Sequence, residues 1–463
     1  ELGNFDKAEA LFRRALAINE NAFGRQSPGA ASMLNALAAI ANQRKAYDVA
    51  RPLFEEVLTI YRGLYGDRHP KVALVLNNLA SLASDQGAFN KAEQHYREAL
   101  DILRENLGNR HPDTAAALDN LGYLYLEQQR MLEALPIFRT SMEIRIARQL
   151  QATLDMRPRK ADEIEQNRHV FRYFLQAARQ VAEEDSSHYD ALANESYLAS
   201  QWLNQTGAEA ALAQMSLRFA SGSDSLASAL RDYQDRQQAY ERIDDQWIAA
   251  LGEEQLEMPL DRLTALRASR DEANSTLLMM ADRLLTDFPD YMELASPRPI
   301  DVQNVRELLR EGEAIVHFAF GNEHSHLFLV NRNDYLWMPL DIGRAELRQR
   351  VRKLRMALDP AAAVNAETGT PLLQRTRFDL ELAYRLYDDL LGPVEKGLEA
   401  IDHLYFVPSD ALTALPPAVL VTEPPRRLGG MRANNLAEWL IKRHAITVLP
   451  SVSSLKALRR FAG

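Results

Sequence analysis

Across roughly residues 1–150, apolar side chains return at helical spacing, and the whole pattern then returns every 42 residues. Ala8, Ala50, Ala92 and Ala134 form one such set, and Phe5, Tyr47, Phe89 and Met131 a second. Phe12, Phe54, Tyr96 and Phe138 form a third, and Leu16, Leu58, Leu100 and Met142 a fourth. Several sets locked to one period mark a repeat whose single unit cannot bury its own apolar face, so that neighbours must stack. Within a unit Leu76, Leu79 and Leu82 share one helical face, and Ala92, Tyr96, Ala99 and Leu103 share the face of the next helix. Gln86-Gly87-Ala88 separates them, which predicts two antiparallel helices per unit. The links Tyr65-Gly66-Asp67-Arg68-His69-Pro70 and Leu107-Gly108-Asn109-Arg110-His111-Pro112 stop one helix and start another through Gly and Pro. Small residues such as Ala80, Ala92 and Ala99 are expected where paired helices approach most closely. Pro52 and Pro136 fall at matching positions, expected near the first turn of each second helix.

From Met156 to Tyr291 the 42-residue period is lost while helical spacing persists. Arg157-Pro158-Arg159-Lys160 reads as a basic, solvated junction, and Phe171, Tyr173, Phe174, Leu175 and Val181 as positions packing back on the last repeat. Ser223 to Ala250 and Pro259 to Leu285 run without internal Gly or Pro and are broken at Leu251-Gly252-Glu253, which predicts a long antiparallel hairpin. Its seam is expected to hold Tyr233, Tyr240, Trp247, Met279 and Met280. After Pro297 the spacing turns strand-like. Ala314–Phe320, His326–Val330 and Tyr335–Leu340 read as three strands joined by polar turns. Helices at 344–358 and 378–390 follow, with buried-type strands at His403–Pro408 and Ala445–Pro450, so the last third is expected to be an α/β layer.

Composition narrows the functional classes. The 463 residues carry a net charge of −10, which disfavours direct nucleic-acid binding and favours a basic partner. There is no cysteine, so disulfides, thiolate metal sites and a cysteine nucleophile are absent from this sequence. No apolar run is long enough to span a bilayer, and no membrane partner is expected. The cytoplasm is the expected location, although a start at Glu1 leaves open a signal peptide upstream.

The repeat resembles the tetratricopeptide family, in the 42-residue variety of kinesin light chains whose signature is G-x-x-H-P-x-x-A-x-x-L-N-N-L-A; Gly66 through Ala80 reproduces it. The resemblance covers residues 1–155, with a partial first unit and further repeats expected before Glu1. It implies a right-handed superhelical solenoid whose first helices line a groove for a peptide or protein. Asn35, Asn77, Asn78, Asp119 and Asn120 would lie along that groove, where they either bond an extended guest backbone or brace adjacent helices.

The last third resembles the CHAT domain, a caspase-like family often attached to such repeats. The matching phrases are Glu311-Gly312-Glu313-Ala314, His403 to Pro408 with Ser409 to Pro416, and Leu449-Pro450-Ser451-Val452-Ser453-Ser454-Leu455. This chain has Ser409-Asp410 where the family usually has Asp-Gly. The resemblance implies a cysteine peptidase in which a histidine deprotonates a cysteine. The dyad would follow the Leu-Pro-Ser segment, so the chain is read as truncated before it, and no catalytic residue is assigned. The expected architecture is therefore multi-domain: an all-α repeat over 1–155, a helical connector with its hairpin over 156–295, and the N-terminal part of an α/β caspase-like domain over 296–463. Its expected role is the binding scaffold of a caspase-like peptidase, with the connector transmitting occupancy; the alternative is a non-catalytic adaptor with a degenerate CHAT domain.

Other clusters carry less. His317, His324 and His326 lie near one another but lack a full ligand set, so neither a metal nor any cofactor is expected. Ser409 and Asp410 are read as a helix cap. Arg426 and Arg427, in a Pro- and Gly-rich loop, form a possible processing site against the plain reading of a surface loop.

Overall fold

The computed structural model describes residues 2–154, 161–204, 224–250, 260–288, 298–358, 378–425 and 436–461. They fall into two compact units, one of residues 1–177 and 213–296, the other of residues 178–212 and 297–463. The middle segment, expected as one connector, is thus shared between the two. The Arg157–Lys160 junction and the Leu251–Glu253 turn lie outside the described residues.

In the first unit the repeats are helices α1 (Leu2–Phe23), α2 (Pro28–Gln43), α3 (Tyr47–Tyr65), α4 (Pro70–Asp85), α5 (Phe89–Leu107), α6 (Pro112–Glu127) and α7 (Met131–Leu154). Each first helix starts with a proline whose missing N–H is no loss there. The residue before it is the cap: His69 Nδ1 accepts from the Lys71 amide at 3.0 Å, His111 Nδ1 from the Asp113 amide at 3.1 Å, and Ser27 Oγ from the Ala30 amide at 3.3 Å. The His-Pro pair of the repeat is therefore an N-cap followed by N1. Gly66 and Gly108 end the second helices with φ of +84° and +86°, a conformation costly for any other residue. Lys45, Gly87 and Gln129, again 42 apart, end the first helices in the left-handed region, and the amides of Ala46, Ala88 and Arg130 close the caps onto Ala41, Ala83 and Tyr125 carbonyls.

The repeated positions are the core. Ala50, Ala92 and Ala134 have no exposed surface, nor have Ala31, Ala73 and Ala115 opposite them. Phe54, Tyr96 and Phe138 fill the space between the paired helices. Pro52 lies in the second turn of α3, since the helix begins at Tyr47 and not nearer the proline. Successive first helices approach one another more closely than second helices do, which makes their layer the inner side of the stack.

The remaining helices of this unit are the first part of α8 (Ala161–Glu184) and the hairpin of α10 (Asp224–Ala250) and α11 (Leu260–Asp287), α9 (Tyr189–Leu203) belonging to the second unit. Tyr173 packs on Tyr123 and Phe138, as the aromatic run predicts. The hairpin buries Leu226, Leu230, Tyr233, Leu277 and Leu284 along its seam. Met279 is instead 63% exposed, and Trp247 turns to the repeats, donating its indole N–H to the Asn106 carbonyl at 2.8 Å. Buried Arg270 donates to the Leu107 carbonyl at 2.7 Å and to Asp244 at 2.5 Å. Those two carbonyls are orphans of the α5 C-terminus, and the hairpin docks by satisfying them. Arg270→Ala is expected to weaken docking by about 1.5–3 kcal/mol, the usual worth of a hydrogen bond to a charged group. Hydrogen exchange should speed up in α10 and α11 while α2 to α5 stay protected; unchanged exchange in the hairpin would contradict it.

The second unit is built on a five-stranded sheet of β1 (Glu313–Ala319), β2 (Ser325–Asn331), β3 (Tyr335–Leu340), β4 (His403–Val407) and β5 (Ala445–Val448), in the order β3-β2-β1-β4-β5. The β1–β2 and β2–β3 pairs are antiparallel, β1–β4 and β4–β5 parallel. Ala314, Val316, Phe318, Leu327, Leu329, Leu404 and Phe406 face α13 (Arg344–Leu358) and α14 (Leu380–Leu391), after the short α12 (Val302–Leu308). On the other face α9 (Tyr189–Leu203) sets Tyr197 against His317 and Phe328, with ring centroids at 5.9 and 5.4 Å. Gln201 of α9 holds the Ile300 backbone from both sides, accepting its N–H at 3.0 Å and donating to its carbonyl at 2.8 Å. The chain closes on α15 (Ser454–Phe461), whose Arg459 pairs with Glu313 and lies over the Tyr405 ring.

Candidate functional site

On the inner layer, positions 32, 74 and 116, then 36, 78 and 120, then 39, 81 and 123, then 43, 85 and 127 descend α2, α4 and α6 in matching rows. These rows leave Leu74 50% and Tyr123 42% exposed, large apolar surface on a face otherwise made of alanine and polar side chains. The five residues expected to line the groove do not share one environment. Asn120 is exposed on the face. Asn78 donates its amide to Asn35 Oδ1 at 3.0 Å, which ties α4 to α2. Asn77 is half-buried, and its Oδ1 has no hydrogen-bond partner. Asp119 departs furthest from expectation: it is 5% exposed and accepts from Ser141 and Arg145, with His169 Nε2 at 3.3 Å. Burying a carboxylate requires such partners, so Asp119 is committed to joining α6, α7 and α8.

Tyr123 was not singled out by the repeat pattern, because its counterparts are Ala39 and Ser81. The signal available was that substitution itself, an aromatic at a position the repeat keeps small.

In the second unit a small cleft opens at the carboxyl ends of the parallel strands, lined by Gln201, Asn204, His317, Val407, Pro408, Pro450 and Ser451 among others. His317 is buried there, with Nε2 3.3 Å from the Asn204 amide and Nδ1 without a hydrogen-bond partner. Burial pushes its imidazole down to about 4, against a smaller opposing effect of the Ser200 backbone. His326 accepts from the Trp337 indole N–H at 3.3 Å, and burial followed by the charge of Arg179 pushes it down to about 3. Both rings are neutral at physiological pH, and His324, His326 and His317 join no group of three metal-ligating side chains among the described residues.

Ser409 and Asp410 do not form the expected helix cap. Ser409 Oγ donates to the Phe318 carbonyl at 2.9 Å. Asp410 takes a φ of +48°, in the left-handed region that favours glycine, and accepts from Arg344 at 2.5 Å and Arg348 at 2.9 Å. Burial alone would raise the Asp410 carboxyl, but the two arginines outweigh it and hold it below its ordinary range. The arginines fasten α13 to the turn and hold the strained backbone in place. Arg426 and Arg427 lie outside the described residues. No helix among the described residues is long and apolar enough to cross a membrane.

Comparison with known proteins finds a family match near each end of the sequence. The tetratricopeptide repeat family matches residues 1–62, 30–105 and 72–147. The CHAT domain family matches residues 380–463, which hold α14, β4, β5 and α15. Among solved structures, BtubC (BKLC) from P. vanneervenii is similar at 23% identity, covering 42% of this chain and 72% of that one with a TM-score of 0.35. The nearly identical TPR-like repeats of a kinesin light chain candidate from Podosopora anserina are similar at 19% identity, covering 42% and 89% with a TM-score of 0.31. No curated protein matches the chain. The chain therefore joins tetratricopeptide repeats to a CHAT domain.

Proposed function

We propose that this chain is a protein-binding scaffold whose inner helix layer holds a polypeptide and keeps it near a caspase-like CHAT domain of the cysteine-peptidase kind. The observation that carries the reading is the inner face of α2, α4 and α6. It exposes Leu74 and Tyr123 beside the exposed amide of Asn120 and the unpaired Oδ1 of Asn77, an arrangement of apolar anchors and backbone-bonding groups suited to an extended or helical guest. Covalent linkage then raises the local concentration of the guest around the second unit. The 463 residues contain no cysteine, so on this reading a thiolate nucleophile comes from outside them.

The groove is tested by Leu74→Glu, a change on an exposed position that leaves the core untouched. Peptides selected by phage display on the whole chain are expected to bind this variant about tenfold or more weakly by fluorescence anisotropy, as a lost apolar anchor is worth about 1.5–3 kcal/mol. Equal binding by the variant would place the guest elsewhere.

A further inference from the structure

We infer that the end of the inner face formed by Tyr123, Tyr173 and Glu127 receives a cationic side chain, lysine or arginine, of the bound polypeptide; this rests on the scaffold reading and names the chemistry of its guest. Tyr123 stands where the two preceding repeats have Ala39 and Ser81, so the aromatic belongs to this rung alone among the three. Its ring is 5.2 Å from that of Tyr173, tilted by 45°, and Phe138 backs Tyr173 at 5.8 Å. Two tilted rings, one of them 42% exposed, offer a π-face that a cation can approach from the open side of the layer.

The charges beside the rings point the same way. Glu127 follows Tyr123 by one turn of α6 and is exposed, and Asp85 holds the matching place on α4. Their hydrogen bonds come from neutral groups: Ser84 Oγ donates to Glu127 at 3.0 Å, and the Asn42 amide to Asp85 at 3.2 Å. Several other carboxylates of the repeats are matched with guanidinium groups, as in Glu56 with Arg25, Glu98 with Arg62, Glu105 with Arg68 and Glu93 with Arg130. Glu127 and Asp85 have no cation within ion-pair distance among the described residues, and together they leave negative potential over an aromatic floor. Arg172 lies beside Tyr173, and it opposes that potential on the α8 side. A flexible basic side chain entering from the α4 side meets the carboxylates first and the rings next.

The experiment pans a random twelve-residue phage library on the whole chain, then on Tyr123→Ser and on Glu127→Gln. Serine already occupies the Tyr123 position in the preceding repeat, and the amide is isosteric with the carboxylate, so both variants are chosen to keep the fold. The wild-type pool is expected to converge on a motif with lysine or arginine at one fixed position. Both variants should lose that enrichment while keeping the apolar positions, and a selected basic peptide should bind each about fivefold more weakly. A converged motif lacking a basic position, or a basic position that survives in both variants, would overturn this inference and leave the scaffold reading standing. A library that yields no motif whose binding depends on Leu74 would remove both.

Discussion

Phe138→Ala is expected to destabilise the first unit by about 3–5 kcal/mol, the range for truncating a fully buried phenylalanine. The ring has no exposed surface and sits against Gly122, where an added Cβ would fall 2.6 Å from Phe138 Cε1. Glycine in a helix interior costs about 1 kcal/mol relative to alanine. Here it lets α6 and α7 close over an aromatic, at a position filled by Ala38 and Ala80 in the preceding repeats. Truncation would leave a cavity that the stacked helices cannot collapse into, since each is held on both sides by neighbours. Tyr173 would lose its backing, so the Tyr123 end of the inner face should loosen as well. Urea unfolding followed by circular dichroism measures the loss; a change below about 1 kcal/mol would show that the site repacks. Gly122→Ala in the wild-type background is expected to be destabilising through overpacking, and less harmful when combined with Phe138→Ala.

Acid should weaken the second unit well before its carboxylates titrate. His317 and His326 are buried neutral, at about 4 and about 3, whereas an unfolded histidine lies near ~6.5. Above that unfolded value neither state takes up a proton, and the stability of the unit does not depend on these rings. As the pH falls below it, the unfolded chain binds protons that the folded chain refuses. Stability then drops by about 1.4 kcal/mol per pH unit for each ring, until the folded values are reached. Between pH 7 and pH 5 the two together should remove on the order of 4 kcal/mol. Denaturant midpoints across that range check the slope, and the double variant His317→Phe, His326→Gln should flatten it even where its absolute stability is lower. A wild-type slope equal to that of the double variant would mean that the rings are solvated or paired when folded.

The repeat could be read from the sequence because its constraint is local and recurs. Alanines and aromatics recur every 42 residues on one helical face, and Gly or Pro marks each link, so spacing alone locates the helices and their apolar faces. The sheet could be read less fully. Strands β1 and β2 are buried on both faces, so their sequences run continuously apolar and do not reveal which side packs against which helix. That α9 supplies one of those sides depends on Tyr197 and Asn204 meeting strands more than a hundred residues away, a contact that no local spacing encodes.

The candidate site divides in the same way. Periodicity places Asn35, Asn78 and Asp119 on the first helices of their units, yet their roles depend on what the next helix presents: Asn35 and Asn78 bind each other, and Asp119 is taken by Arg145. Asp410 is similar, since a residue that sequence alone reads as a cap becomes an anchor because Arg344 and Arg348 arrive from a helix sixty residues earlier. The chain by itself determined its repeats, its strand-bearing last third and its want of a thiol, because these follow from residue type and short-range spacing. Only tertiary structure decided which polar side chains remain available to a guest, because hydrogen bonding and desolvation act on whatever atoms folding brings within about 3 Å.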